Sequence, residues 1–353
     1  MKTQREMKKR MKASLERLLA LPLDEGPLLI LTHHNPDPDC LASSAAMRYL
    51  LRKKRGIEAT AAYSGIIGRA ENRAMVRLLD LDFPHIDELD FDDFRYIALI
   101  DAQPRTGNTA VPEDRMADIV IDHHPIRDTT RGVAFYEVIE ELGATATLLT
   151  EYLRIARLKI PRDLATALLY AIRSETQDLG REVSEHDLIA YEYLVPRVDR
   201  ALLAAISSPT LERHYFSQLA DALENLLVGK TTAVSTMGPV KDPDFVPEIA
   251  DLVVRMEEIR WALAWGTFRD RLYLSIRTND PEANAGDVMQ KILEGIGKGG
   301  GHGMRAGGAI DLNGSSSLSS AMADRIIRRF VAQVDEQERL EPFRPPAREQ
   351  TVT

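Results

Sequence analysis

The chain has 353 residues, 44% of them hydrophobic and 28% charged, a length that exceeds one ordinary core and suits two domains of a soluble globular protein. Its net charge of −9 means that the molecule as a whole repels nucleic acid and phosphate, so any anionic substrate must be captured locally by metal ions or a few placed arginines. A single cysteine, Cys40, excludes an intramolecular disulfide and fits a reducing compartment.

In chain order, six of the first twelve residues are basic. The following ASLERLLALPL contains Glu16 and Arg17 and is too short and too charged for a signal segment or a membrane span. It is expected to form a surface helix of a cytoplasmic protein. From Pro27, short apolar runs alternate with periodic ones: LLILT, a helix from about Cys40 to Arg55, IEATAAY, a helix around Glu71 to Leu79, RYIALID and ADIVID. That alternation predicts parallel strands with crossover helices. Helical patterns then dominate from ATATLLTEYLRIARL through RDLATALLYAIR to RHYFSQLADALENLLVG. After Gly229 the pattern turns β-rich in TTAVSTM and IRWALAWGTFRDRLYLSIRT, followed by a helix at AGDVMQKILEGIG and a glycine-dense loop. A tail rich in Glu, Arg and Pro is expected to be a solvated extension.

The polar residues are unevenly placed. The run LLILT leads into HHNPDPD, where Pro36 and Pro38 already supply the stiffness a turn needs, leaving His33, His34, Asp37 and Asp39 in surplus. Asp101 follows a second predicted strand, and Asp122, His123 and His124 follow a third. Any one of these alone reads as a helix cap, a turn or a packed pair. Together, at three parallel strand ends, they face the region where open α/β sheets bind ligands. Five of the eight histidines are His33, His34, His123, His124 and His302. Carboxylates and imidazoles without thiolates form a hard-to-borderline donor set, suited to manganese and less so to magnesium, cobalt or zinc. A carboxylate shared by two such ions allows a water to be deprotonated near neutral pH and to attack phosphorus.

The strings HHNPDPDCLAS, ALIDAQP, DHHP at Asp122 to Pro125 and GGGHGMRAGG at Gly299 to Gly308 together resemble the DHH phosphoesterase superfamily, over about residues 25 to 332. The resemblance is closest to its small two-domain branch of nanoRNases and pAp phosphatases. It implies an α/β protein: a parallel-sheet DHH domain with its N-terminal extension over 1–205, a helical connector over 206–228, a smaller α/β DHH-associated C-terminal domain over 229–335, and a tail over 336–353. The active site is expected in the interdomain cleft. Two divalent metal ions, manganese, are implied. His33, Asp37 and Asp101 resemble the ligands of one, and Asp39, Asp101 and His123 those of the other, with Asp101 bridging. His124 would lie beside the scissile phosphate, where a donor steadies developing charge, and Asp122 would orient the histidines.

The chain departs from the family where relatives carry an Asp-Thr pair: AIRSETQDLG puts Glu175 at the remaining ligand position of the second metal. Asp178 shares its helical face if the helix persists. Glycines weaken helices and strands but let a backbone approach an anion closely; the resemblance of this stretch to the family's GGGH motif implies that Gly300, Gly301 and His302 contact substrate, together with Arg277 from the preceding strand. Arg305 stands where relatives have a small residue. The expected activity is phosphoester hydrolysis of short nucleotide substrates, nanoRNA, pAp or linear dinucleotides. Hydrolysis of cyclic dinucleotides or pyrophosphate, or a nucleotide-binding regulatory role with weak or lost turnover, are the alternatives. No membrane and no long-duplex nucleic acid partner is expected, and a homodimer is compatible with the sequence.

Overall fold

A computed structural model describes residues 4–312, 314, 318–335 and 339–344, the side chain of His302 excepted. The chain divides into two compact units, Met1–Pro209 and Thr210–Thr353.

The first unit begins with α1 (Gln4–Leu19), β1 (Leu28–His34), α2 (Pro38–Arg55), β2 (Ala59–Ser64) and α3 (Ala70–Leu78). Three strands follow, β3 (Tyr96–Ile100), β4 (Ile119–Asp122) and β5 (Phe135–Val138), and then α4 (Thr145–Ile155), α5 (Arg162–Glu175), α6 (Glu185–Leu194) and α7 (Arg200–Ser207). The five strands form one parallel sheet in the order β2-β1-β3-β4-β5. Leu28 and Ile30 enter a core shared with α1, α2, α4 and α5, whereas Leu29 and Leu31 enter a second core with Ile86, Phe94 and Val133. Burial on both faces explains why the strands read as unbroken apolar runs. The chain leaves β1 toward β2 and returns on the other side to β3, so the loops after β1 and β3 part at that point and open a crevice.

Two expectations change here. The N-terminal segment is helical but not merely a surface helix. Met7, Met11, Leu15 and Leu18 recur at helical spacing and are buried against α2, α4 and β5, with most of the basic side chains on the other face. Arg10 reaches inward, donating from Nε to the buried carboxylate of Glu137 at 2.6 Å, and Arg17 lies 3.7 Å from its other oxygen. The strand β5 had no counterpart in the sequence reading, because its four residues include that glutamate and alternate weakly.

The second unit holds α8 (Arg213–Glu224), β6 (Leu226–Val228), β7 (Thr232–Pro239), α9 (Phe245–Val253), β8 (Trp261–Phe268) and β9 (Arg271–Thr278). It continues with α10 (Ala285–Leu293), β10 (Lys298–His302), β11 (Arg305–Asp311), α11 (Ser320–Val334) and β12 (Glu341–Pro342). Its seven-stranded sheet is mixed, in the order β10-β11-β9-β8-β7-β6-β12, with only β7 and β8 parallel. Residues of α10 and α11 cover one face and those of α8 and α9 the other. The segment expected as a connector thus contributes Ala222 of α8 to this core, and its last residues form β6 rather than helix.

The glycine-dense stretch is a β-hairpin, not a loop. β10 and β11 pair antiparallel with Gly299 opposite Gly308 and Gly300 opposite Gly307. A Cβ at Gly308 would lie 2.3 Å from Leu293 Cδ1, and one at Gly299 would lie 2.7 Å from the same atom, so glycine lets α10 rest almost on the backbone. Part of the expected solvated tail is also ordered into the sheet: Glu341 and Pro342 pair with β6, and Phe343 donates to the Leu226 carbonyl at 2.8 Å. The rest of that tail, 336–338 and 345–353, lies outside the described residues.

Candidate metal centre

Of the residues singled out, His33, Asp37, Asp39, Asp101, His123 and His124 converge at the carboxyl ends of β1, β3 and β4 in the first unit. Asp37 is the N-cap of α2, its Oδ1 accepting from the backbone of Asp39 at 2.9 Å and of Cys40 at 3.1 Å, with Pro38 pre-set at the first helical position. Its other oxygen lies 3.7 Å from His33 Nε2. His33 donates from Nδ1 to the carbonyl of His34 at 2.9 Å, which leaves Nε2 facing the carboxylates. His34 itself turns away to the Ser64 hydroxyl, 2.7 Å from its Nδ1.

Asp101 is buried, with a left-handed backbone at φ 58°. Its Oδ2 is 3.8 Å from His33 Nε2 and its Oδ1 is 3.6 Å from His123 Nε2, so one carboxylate faces both imidazoles. His123 donates from Nδ1 to the Leu142 carbonyl at 3.0 Å. Its Nε2 is buried and, among the described residues, has no hydrogen-bond partner. Asp122 accepts from the backbone of His123 and His124 and from His124 Nδ1 at 2.8 Å on one oxygen, and from Gln103 Nε2 at 2.6 Å on the other. Burial alone would depress the His124 imidazolium, but the Asp122 hydrogen bond and the Asp101 and Asp122 charges push it up to about 10.

The N-terminus of α4 completes the arrangement. Asp39 is buried and accepts from Thr145 N on Oδ2 and from Ala146 N on Oδ1, both at 2.7 Å, while Thr145 Oγ1 donates to Asp101 Oδ1 at 2.8 Å. Helix-terminal N–H groups stabilise the buried charge, and Ser43 Oγ adds a longer contact to Oδ1 at 3.4 Å. Thr145 and Gln103 were not singled out from the sequence. Both are uncharged, and Thr145 is 106 residues from Asp39, so no local pattern marks them.

Glu175 closes α5, and its charge acts on both Asp39 and His124. The helix does not persist to Asp178: Gln177, Asp178 and Leu179 are left-handed, and Asp178 instead accepts from Arg173 Nε at 2.6 Å. Cys40, read from the sequence only for its redox meaning, lies near His33 and Asp37, with its buried thiol donating to the Asp37 carbonyl and pushed up by burial to about 12.

This donor set fits a divalent cation. Burial, reinforced by the charges of Asp101, Asp37 and Glu175, pushes the Asp39 carboxyl well above the carboxylate range. Burial and the neighbouring Asp37 and Asp122 charges also raise Asp101, against the opposing pull of His124 and His123. Carboxylates crowded out of water beside an orphaned buried imidazole nitrogen gain from a cation, and oxygen with imidazole is the donor chemistry of manganese and its neighbours.

In the second unit Arg277 sits on β9, its guanidinium donating to Asp251, to the Ser275 hydroxyl at 2.8 Å and to the Ile276 carbonyl at 3.0 Å. Arg305 is its register partner across β11, and His302 is that of Arg305 across β10; the His302 side chain lies outside the described set. Gly300 borders open space, with Gln290 Nε2 the nearest atom to a Cβ at 3.9 Å, whereas a Cβ at Gly301 would lie 2.2 Å from the Arg305 carbonyl oxygen.

A parallel sheet whose strand ends gather histidines and aspartates defines a known class. Residues 27–172, within the first unit, match the DHH family, N-terminal domain. It is 36% identical over 302 residues to an uncharacterised protein of Methanocaldococcus jannaschii, covering 85% of this chain and 61% of that protein. It is also 28% identical over 149 residues to the manganese-dependent inorganic pyrophosphatase of Bacillus subtilis, 42% of this chain and 48% of that enzyme. The chain thus spans less than two thirds of the length of these relatives. The fold is shared with an exopolyphosphatase-related protein from Bacteroides fragilis at TM-score 0.69 and 12% identity, over 92% of this chain and 96% of that one. RecJ from Thermus thermophilus, solved with Mn2+, matches at TM-score 0.51 and 12% identity, over 91% of this chain and 55% of that one. Among the described residues no helix is long and apolar enough to cross a membrane.

Proposed function

We propose that this protein is a metal-dependent phosphoesterase acting on short nucleotide phosphates such as nanoRNA, pAp or linear dinucleotides. The observation that carries the reading is Asp101, which offers one oxygen to His33 at 3.8 Å and the other to His123 at 3.6 Å, each imidazole being held by a carbonyl at its far nitrogen. His33, Asp37 and Asp101 would hold one divalent ion, and Asp39, Asp101, His123 and Glu175 a second. Manganese is the ion we favour, on donor chemistry and on the manganese-dependent pyrophosphatases among the relatives. Two such ions lower the pKa of a bound water and offset the charge of a phosphoryl group in transfer.

The protein's own groups do the rest. Asp122 locks His124 in place through its Nδ1, leaving the partly exposed ring positioned so that a protonated Nε2 would donate to a phosphoryl oxygen. Gln103 in turn fixes Asp122 and is itself fixed, its Oε1 accepting from Arg127 N and Thr130 Oγ1 at 2.7 Å. Arg277, Gly300, Gly301 and His302 are assigned to substrate binding. The short-substrate preference follows from the net charge of −9, since a long polyanion adds repulsion without adding contacts.

The test is purified protein with manganese against pAp, pApA, cyclic di-AMP, pyrophosphate and RNA of roughly two to twenty nucleotides, with salt held fixed. Cleavage of the short linear substrates, lost on chelation, is expected. Full turnover after exhaustive chelation would overturn the metal centre. A second reading, pyrophosphate hydrolysis, is favoured by the pyrophosphatase relatives, and cleavage of pyrophosphate alone in the same panel would establish it.

A further inference from the structure

The segment from Leu142 to Thr147 touches every first-unit group assigned to the second ion except Glu175. Its Leu142 carbonyl sets the His123 tautomer, its Thr145 and Ala146 N–H groups hold Asp39, and its Thr145 hydroxyl holds Asp101. Of the groups assigned to the first ion it touches only the shared Asp101. What fixes this segment is a residue with no place in the site: Asp187, at the start of α6 and fully buried.

Asp187 Oδ2 accepts from Gly143 N at 2.9 Å, from Ser184 N at 2.7 Å and from Ser184 Oγ at 2.6 Å, and its Oδ1 accepts from Thr147 Oγ1. A carboxylate out of water with four donors is rigidly seated. Gly143 permits the approach: a Cβ there would lie 3.0 Å from Asp187 Oδ2, 2.8 Å from Thr176 Cγ2 and 2.6 Å from the Glu182 carbonyl. Thr176 directly follows Glu175, so the same knot abuts the end of α5 that presents the remaining ligand. The left-handed turn of Gln177, Asp178 and Leu179, a costly conformation away from glycine, bends the chain back to that contact.

We infer that Asp187 is a positioning residue for the second metal, clamping the Leu142–Thr147 segment so that Asp39, Asp101 and His123 meet at one point. This rests on the proposed metal centre. Removing an outer partner of a metal ligand costs on the order of ten- to a hundredfold in affinity. Because the first ion draws on His33 and Asp37, outside the clamped segment, Asp187→Asn should weaken one binding step and spare the other.

The experiment is manganese titration of the full chain, reading free Mn2+ by electron paramagnetic resonance, for wild type, Asp187→Asn, Thr147→Val and Asp118→Asn. Asp118 is the control. Its carboxylate accepts from Ile97 N at 2.8 Å at the opposite end of β4, where it supports the fold alone. Two steps in wild type, with one shifted roughly ten- to a hundredfold in Asp187→Asn and the other shifted much less, is the expected result. Thr147→Val removes a single hydrogen bond and should shift the same step less, which keeps the test available if Asp187→Asn does not fold. Equal weakening of both steps, the same shift in Asp118→Asn, or no shift in either clamp variant overturns the inference. A wild-type protein that takes up no manganese overturns the proposed function, a distinct outcome.

Discussion

The strand ends of the first unit and the hairpin of the second are the two compositional oddities of this chain, and they have opposite physical causes. At the strand ends, charged groups are buried and held by more donors than a turn would need: Asp122 alone takes three on one oxygen and one on the other. In the hairpin, side chains are missing because α10 needs their space, with Leu293 against both Gly299 and Gly308 and the Gly301 carbonyl only 2.1 Å from where a Cβ of Gly286 would stand. Surplus polar residues signal chemistry here. Surplus glycines signal close packing first, and ligand contact only where packing leaves room.

The harshest way to break that contrast is Asp101→Ala. If the carboxylate serves two ions, the variant should lose manganese and turnover together, on the order of a thousandfold for about 4 kcal/mol of lost transition-state stabilisation. Glu175→Ala, at a residue assigned to one ion only, should cost less. Elemental analysis showing two tightly held ions in the Asp101 variant would contradict the bridging role.

Arg277→Ala probes the second unit's chemistry. We expect kcat/KM to fall about tenfold to several hundredfold, for a lost charge-assisted hydrogen bond of about 1.5 to 3 kcal/mol, with metal content unchanged. Metal loss in this variant would show that the arginine belongs to the metal site after all.

The glycines separate packing from contact. Gly301→Ala pushes a methyl into backbone and should destabilise the second unit by about 1 to 3 kcal/mol in chemical denaturation, leaving manganese binding alone. Gly300→Ala has room, so its stability should hold while KM rises; an unchanged KM would remove Gly300 from the substrate site. The smallest effect is salt. Affinity for a short substrate should fall with a slope of roughly one or two phosphate contacts, and a steep slope would reveal an extended basic groove.

Much of the first unit was legible because LLILT, RYIALID and ADIVID each carry the apolar run of a strand buried on both faces, and their polar ends stand out against it. The clamps were not legible. Thr145 and Gln103 act through backbone and neutral groups 106 and 19 residues from Asp39 and Asp122, and Asp187 reaches Gly143 from 44 residues away. The ending of α5 was equally hidden, because the left-handed turn after Glu175 uses no glycine until Gly180. In the second unit, glycine content pointed to a loop, since composition shows neither the pairing of β10 with β11 nor which neighbour the missing side chains make room for.

The left-handed backbone of Asp101 narrows what evolution can place there. Among polar residues, aspartate and asparagine tolerate that conformation best, because their short side chains meet little steric penalty. Glutamate, which keeps the charge, loses the backbone, and most apolar residues lose both. Asparagine keeps both the backbone and the side-chain shape, is reachable by a single codon change and lacks the negative charge. A change to asparagine at this position would therefore remove the charge while retaining the fold and the crevice, giving an intact protein that has lost one carboxylate rather than an unfolded remnant.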